Sequence, residues 1–303
     1  MSTPDKRLLL MHAHPDDESI GNGATMARYV SEGVGVTLVT SNAGERGEVL
    51  VPELEHLAWG REDALGPHRR DELAAAMKAL GVTDHRFLGG FGAYSDSGMA
   101  WHEDGHAVAA PDTPDNAFSK VDLTEAADQL VAIIREVRPQ VLVTYDQFGG
   151  YGHPDHIQAH RVGMYAAQLA GVPSYRRDLG DPWTISKVYW NAMAWSGIRE
   201  GIRAARAEGA ELPFGDIDPD GPPPWFAVED DAIAAQVDGT AFFEQKMDAL
   251  RAHATQIAAD GPFFSMANSQ GASAFAIESY RLAVGTQGPV GPGGFEEDLF
   301  AGL

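Results

Sequence analysis

No cysteine stands at any of the 303 positions. Disulfides and thiolate metal ligands are therefore excluded, and any metal has to be held by His, Asp or Glu. Basic residues are scarce: Lys and Arg total 22 against 44 Asp and Glu, a formal charge of -22. A surface of that sign repels phosphate backbones and anionic lipid, which argues against nucleic acid or a membrane as partner. Long apolar runs are missing too, none approaching the ~20 residues that span a bilayer. MSTPDKR leads directly into a strand without a signal-type apolar segment, so a cytoplasmic location is expected. The G-x-S-x-G elbow and the P-loop are absent as well. Gly21-Asn22-Gly23 follows a strand but lacks the third glycine of a dinucleotide fingerprint. Acidic residues crowd the turn where pyrophosphate would lie, which disfavours a nicotinamide enzyme.

What is present is organised around RLLLMHAHPDDES, Arg7–Ser19. Leu8–Met11 reads as a buried strand that stops at His12, His14, Asp16, Asp17 and Glu18. Pro15 cannot continue a sheet ladder and holds His14 extended. A helix is predicted at 23–32 and a second strand at 36–40, a β-α-β pattern that implies a parallel sheet. The loop SNAGERGEVL follows, in which Glu45, Arg46 and Glu48 either face the first cluster or are solvated.

Helices are predicted at 69–80 and 123–137, from strong formers with apolar residues at helical spacing. A short strand is expected at 84–88. Residues 101–119 read as a polar surface excursion. The strand 141–145 then runs into DQFGGYGHPDH, and a helix is predicted at 157–170. After about residue 180 the composition shifts. A strand is expected at 186–190, a Gly/Pro/Asp-rich loop at 208–225 and a helix at 240–258, with an irregular tail at 285–294. The fold expected is α/β: a Rossmann-like, mostly parallel sheet flanked by helices (residues 1–180), with a smaller C-terminal α+β region (181–303) closing over the site.

Two strands ending in two His-Pro-Asp turns bring both clusters to one sheet edge, where open α/β sheets build their sites. His14 and Asp17 are three residues apart, as are His153 and His156, and on a turn entering a helix such pairs share a side. Two imidazoles and one carboxylate are a common catalytic metal set with positions left for water and substrate. A neighbouring carboxylate, Asp16 or Asp155, would serve as general base, and a leftover His would stabilise an oxyanion. That inventory suits metal-assisted hydrolysis of an amide or ester. The plainer alternatives are an N-cap role for Asp16 or Asp17, a core role for His253, and a metal- or sugar-binding module without turnover. The isolated histidines, His56, His68, His85, His102, His106 and His160, read as structural or solvated.

Ala13-His14-Pro15-Asp16-Asp17-Glu18 with Gly152-His153-Pro154-Asp155-His156 resembles the zinc-dependent de-N-acetylase superfamily, which includes the N-acetylglucosaminyl-phosphatidylinositol deacetylases. The GERGEV loop, DPWTISKVYW and HATQ extend the likeness over nearly the whole chain. The resemblance implies His14, Asp17 and His156 as ligands of Zn2+, with Fe2+ also suited to such donors. It implies Asp16 as general base, His153 as oxyanion stabiliser, Asp155 as the group orienting or tuning His153, and Tyr151 as a mobile contact. Arg69, Asp96, Met99 and Glu48 would line the pocket of a small amino-sugar inositol substrate. Within the superfamily two branches compete, the N-acetylglucosaminyl-inositol deacetylases of mycothiol biosynthesis and the mycothiol S-conjugate amidases. Gly21 stands where the amidase branch carries Lys, and Gly152 where that branch carries Pro. GERGEV and RRDEL resemble both.

Overall fold

The computed structural model describes residues 5–103, 106–208, 217–261, 263, 264, 267, 271 and 275–303. In chain order the elements are β1 (Arg7–His12), α1 (Asp17–Ser31), β2 (Gly35–Thr40), α2 (Leu65–Leu80), β3 (Asp84–Phe87), β4 (Met99–Trp101) and β5 (Ala107–Ala109). Then follow α3 (Leu123–Val137), β6 (Val141–Thr144), the short α4 (Gly149–Gly152), α5 (Pro154–Ala170), β7 (Lys187–Ala192), α6 (Trp195–Glu208), β8 (Ala235–Asp238), α7 (Phe243–Ala252) and β9 (Ile277–Val284).

Seven strands form one sheet in the order β3-β2-β1-β6-β7-β9-β8. The pairs from β3 through β7 are parallel, whereas β9 runs antiparallel to both β7 and β8. The sheet is therefore mostly parallel and mixed at one edge, as the βαβ pattern implied. Strand order reverses beside β1: the chain moves outward to β2 and β3, then returns to β6 on the other side. The crevice at the carboxyl ends of β1 and β6 is such a switch point, where α/β sheets bind ligands.

Side chains along β1 alternate between two cores. Leu8 and Leu10 pack with Met26, Tyr29, Leu73 and Met77 under α1 and α2. Leu9 and Met11 pack with Leu130, Ile134, Ala159 and Val162 under α3 and α5. With both faces covered, the carboxyl edge is left for chemistry.

The local differences from expectation have identifiable causes. α1 begins at Asp17, six residues before the predicted 23. In mid-helix, the Ala24 and Thr25 N–H groups donate to the buried Glu278 carboxylate at 3.1 and 2.8 Å, as amides at a helix start do. Sequence reads only the stretch with Ala24, Met26, Ala27 and Val30 at packing spacing as the helix, while the polar first turns are held by distant partners, Asp17 by Tyr145, Glu18 by His253 and Asn22 by Tyr280. α2 likewise starts four residues early, and α5 starts at Pro154, with His153 as its N-cap. The segment 101–119, expected as a surface excursion, contributes β5 to a hairpin with β4 and buries Ala117 and Phe118. Part of the loop expected at 208–225, residues 209–216, lies outside the described residues.

Candidate metal centre

Three donor atoms from the two His-Pro-Asp turns form a nearly equilateral triangle. His14 Nδ1 and His156 Nε2 lie 3.3 Å apart, His156 Nε2 and Asp17 Oδ2 3.4 Å, and His14 Nδ1 and Asp17 Oδ2 3.5 Å. Bonds of about 2.0–2.1 Å in tetrahedral geometry place ligand atoms ~3.3–3.4 Å apart, so the triangle fits three ligands of one small cation. His14, His153 and His156 also form a buried trio, with donor atoms within 4.8 Å of one another.

Each triangle member is oriented from behind. The other nitrogen of His14, Nε2, lies 3.3 Å from Asp155 Oδ2, and His156 Nδ1 lies 3.1 Å from the Gly149 carbonyl. An N–H donated there leaves His14 Nδ1 and His156 Nε2 with free lone pairs for a metal. Asp17 Oδ2 accepts from the His14 N–H at 2.9 Å and the Tyr145 hydroxyl at 2.7 Å. The Tyr145 ring stacks on His156 at 4.4 Å. Gly149 has φ +64°, and a Cβ there would sit 2.6 Å from that of His156. Only glycine brings its carbonyl under the imidazole.

The electrostatics fit a site that exchanges protons for a cation. Burial opposes charge on His14, yet Asp155, Asp17 and Asp96 raise its pKa well above the ordinary value. Burial pushes Asp17 up, but His156 and His14 outweigh it and hold the carboxyl well below the usual range. Burial takes His156 down to about 4 against the pull of Asp17. His153 is lowered well below its ordinary value by burial, then by His14 and His156. Its Nδ1 accepts the Asp155 N–H at 3.2 Å, so the proton of the neutral ring sits on Nε2, where it can be donated.

Asp16 stands beside the triangle with its side chain 17% exposed. Burial raises its pKa to about 7, opposed by Arg69 and assisted by Asp17. That value suits a group that must both take and return a proton near neutrality. A cleft of about 510 Å³ opens next to the centre, lined by Arg46, Glu48, Trp59, Met99 and Asp112 among others. Asp96 links the two. Its Oδ1 accepts the Gly98 N–H of the cleft wall at 2.8 Å and lies 3.7 Å from His14 Nε2.

Residues 9–167, more than half of the chain, match the family described as PIG-L: GlcNAc-PI de-N-acetylase. The chain belongs to this family. A Nocardioides relative named 1D-myo-inositol 2-acetamido-2-deoxy-alpha-D-glucopyranoside deacetylase is 64% identical, covering 99% of this chain and 100% of the relative. A protein of the same name from Kribbella flavida is 57% identical, with 99% of both chains covered. Among solved structures, the conserved protein TT1542 from Thermus thermophilus aligns at TM-score 0.56 and 22% identity, over 94% of this chain and 97% of that one. A 4-carboxy-2-hydroxymuconate hydratase, GalB, aligns at TM-score 0.58 and 16% identity, over 94% and 99%. These structural likenesses establish the fold alone, and a hydratase among them shows why the reaction has to be argued from the site.

Within the PIG-L scaffold the expected site residues separate into three groups. His14, Asp16, Asp17, His153, Asp155, His156, Arg69 and Asp96 converge at the strand ends. Tyr151 lies over His156, ring centroids 4.9 Å apart and nearly perpendicular. Met99 and Glu48 line the cleft, both exposed.

Two placements differ from expectation. The Asp155 carboxylate is on His14 rather than on His153, and what reaches His153 is the Asp155 backbone N–H. Arg69, expected at the sugar, is 3% exposed and committed elsewhere. Its guanidinium donates to the Gly44 carbonyl at 2.6 Å, to the Pro15 carbonyl and to Asp16 Oδ2 at 3.1 Å. Gly44, at φ +61°, is required because a Cβ there would overlap Arg69.

Several functional neighbours escaped sequence reasoning. Asn42, at the end of β2, and Ser97 both bond Asp155, and Tyr145, just past β6, bonds Asp17. The strand-end rule that located the motifs, applied to every strand, would have found Asn42 and Tyr145. His253, left open between core and site, is fully buried against Glu18, one residue from Asp17.

Proposed function

We infer that this chain is a metal-dependent deacetylase that hydrolyses the acetamide of 1D-myo-inositol 2-acetamido-2-deoxy-α-D-glucopyranoside to acetate and the free amino sugar, a step of mycothiol biosynthesis. The observation that carries the chemistry is the partly exposed Asp16 carboxylate beside the His14–Asp17–His156 triangle. Full-length identity to deacetylases of that name supports the substrate.

We assign the triangle to a divalent cation, Zn2+ on the resemblance to the zinc-dependent de-N-acetylases and the hydrolytic reaction, with Fe2+ suited to the same two-nitrogen, one-carboxylate donors. Bound there, the ion would supply Lewis acidity to the amide carbonyl and to the attacking water. Asp16 takes the proton from that water as the C–O bond forms and returns it to nitrogen as the C–N bond breaks. His153, neutral and carrying its proton on Nε2, donates to the carbonyl oxygen as negative charge develops on it. Tyr151, whose hydroxyl burial keeps well above its ordinary pKa, stays a neutral donor at the mouth. The amino sugar binds at the centre and the inositol extends into the cleft toward Glu48 and Met99. Asp96 and Arg69 serve it indirectly, through His14 and Asp16. Residues 181–303 are assigned to closing one side of the site, through the segment at His253.

Gly152 weighs against the S-conjugate amidase reading. It sits at φ +94° with a would-be Cβ 2.9 Å from the Ala107 carbonyl, a conformation closed to the proline of that branch. Among the described residues, no helix is long and apolar enough to cross a bilayer. The test is a paired assay on metal-loaded and chelated protein, with N-acetylglucosaminyl-inositol in one arm and a mycothiol S-conjugate in the other. Metal-dependent acetate release dominating is the expected result. Preferred cleavage of the conjugate would move the chain to the amidase branch, and turnover of neither would leave only a binding module.

A further inference from the structure

Asp16 holds an unfavourable backbone conformation for a non-glycine residue, φ +115° and ψ -36°. Such a geometry is strained and persists only where neighbours over-determine it. Two arms do so here. Arg69 donates to the Pro15 carbonyl and to Asp16 Oδ2. Opposite it, Glu18 Oε2 accepts the Asp16 N–H at 2.9 Å.

Glu18 is itself fixed in the interior. It is fully buried, and its second oxygen, Oε1, accepts from Ser19 Oγ at 2.6 Å and pairs with His253 Nε2 at 2.8 Å. His253 comes from the end of α7, more than 230 residues along the chain, and is also fully buried. The segment that carries it reaches the other arm. Thr255 N and Oγ1 donate to the two carboxylate oxygens of Glu72 at 2.8 and 2.7 Å. Glu72 lies three residues after Arg69, on the same side of α2. The segment also meets the cleft: the Thr255 carbonyl accepts the Leu50 N–H at 2.9 Å, and Gln256 Nε2 donates to the Glu48 carbonyl at 3.0 Å.

We propose that the buried Glu18–His253 pair is a positioning device for the general base: His253 locks Glu18, and Glu18 holds the Asp16 backbone so that its carboxylate faces the reacting carbon. Neither residue touches substrate or metal, and the proposal rests on Asp16 being the base. The HATQ segment found in the sequence thereby gains a task. It links the base, the Arg69 helix and the Glu48–Leu50 loop from a single strap.

The test is a double-mutant cycle on the metal-loaded full chain. His253→Ala is expected to lower kcat about 10- to 100-fold, as loss of a supporting partner typically does, with KM within about twofold and metal content unchanged. His253→Gln, whose amide can donate to Glu18 Oε1, should recover most of the loss. In an Asp16→Ala background His253→Ala should lower kcat no further, because the group it positions is gone. If His253→Ala fails to fold, Glu18→Gln, of equal volume, takes its place in the cycle with the same expectation. The proposal is overturned by kcat within about twofold of parent, by metal loss parallel to activity loss, or by effects that multiply in the Asp16→Ala background. Full turnover by Asp16→Ala alone would overturn the base assignment itself and the proposal with it.

Discussion

Replacing Asp155 by Asn tests whether the residue behind His14 works as the geometry says. Its carboxylate is fully buried and accepts only. Oδ2 takes His14 Nε2 at 3.3 Å, Asn42 Nδ2 at 3.1 Å and Ser97 N at 3.0 Å, while Oδ1 takes the Ser97 hydroxyl and Ser119 N at 3.0 Å. An asparagine must turn its NH2 toward one of these sets. Facing the first set it would meet three donors. Facing the second it meets a hydroxyl, which can rotate to accept, and one amide, so this orientation wins.

The variant then leaves the Ser119 N–H only its longer bond to Ser97 Oγ at 3.4 Å, at about 1–3 kcal/mol, and weakens the charge-assisted bond from His14 by roughly 1 kcal/mol. A net destabilisation of about 2–4 kcal/mol follows, measurable as a lower denaturation midpoint at unchanged slope. With a neutral amide behind His14, metal affinity should fall about 10- to 100-fold, read by competition with a chromophoric chelator. Asp155→Ala would strip His14 Nε2, Asn42 Nδ2 and Ser97 N of their common acceptor, with the Ser97 hydroxyl and the Ser119 N–H left to each other's side chains, and should be destabilised further than Asp155→Asn. Parental metal affinity together with parental stability in Asp155→Asn would refute the reasoning.

Three further outcomes are expected. Asp16→Ala should keep one metal per chain while kcat falls about 10²- to 10⁴-fold, the usual worth of a general base, and rapid turnover would remove Asp16 from that role. His14→Ala and His156→Ala should each lose the metal on dialysis, and retention by both would remove the triangle. Metal affinity should rise with pH. The raised pKa of His14 means the metal-free protein holds a proton there to higher pH than a free imidazole does, and binding must expel it. The rise continues until pH passes that pKa and then levels. Calorimetry in buffers of different ionisation enthalpy would detect the released proton, and affinity flat from about pH 6 to pH 8 would contradict the account.

Legibility follows the locality of the interactions. The bounds of α3 are readable from sequence because its signals are local: Asp122 caps the Thr124 and Glu125 N–H groups, apolar residues recur at helical spacing, and Pro139 follows Arg138. The ligands are legible because both turns sit directly at strand ends. The start of α1 is not, since its polar first turn is held by distant partners, Asp17 by Tyr145 and Glu18 by His253. β9 escapes for a related reason. Glu278 occupies one of its buried positions and pairs with Lys246 at 2.7 Å, breaking the apolar alternation that marks a strand. Arg69 and Asp155 are recognisable as site residues, but with other neighbours than those expected. Sequence places a side chain at an edge, but the particular atom it meets there depends on packing from distant elements.

The central claim is the ligand set, and diffraction from metal-loaded crystals at the metal's absorption edge tests it most directly. The predicted result is one anomalous peak within bonding distance of His14 Nδ1, Asp17 and His156 Nε2, with His153 and Asp16 facing the ion but not bonded to it. A peak bonded to His153 with Asp17 outside its reach would contradict the account.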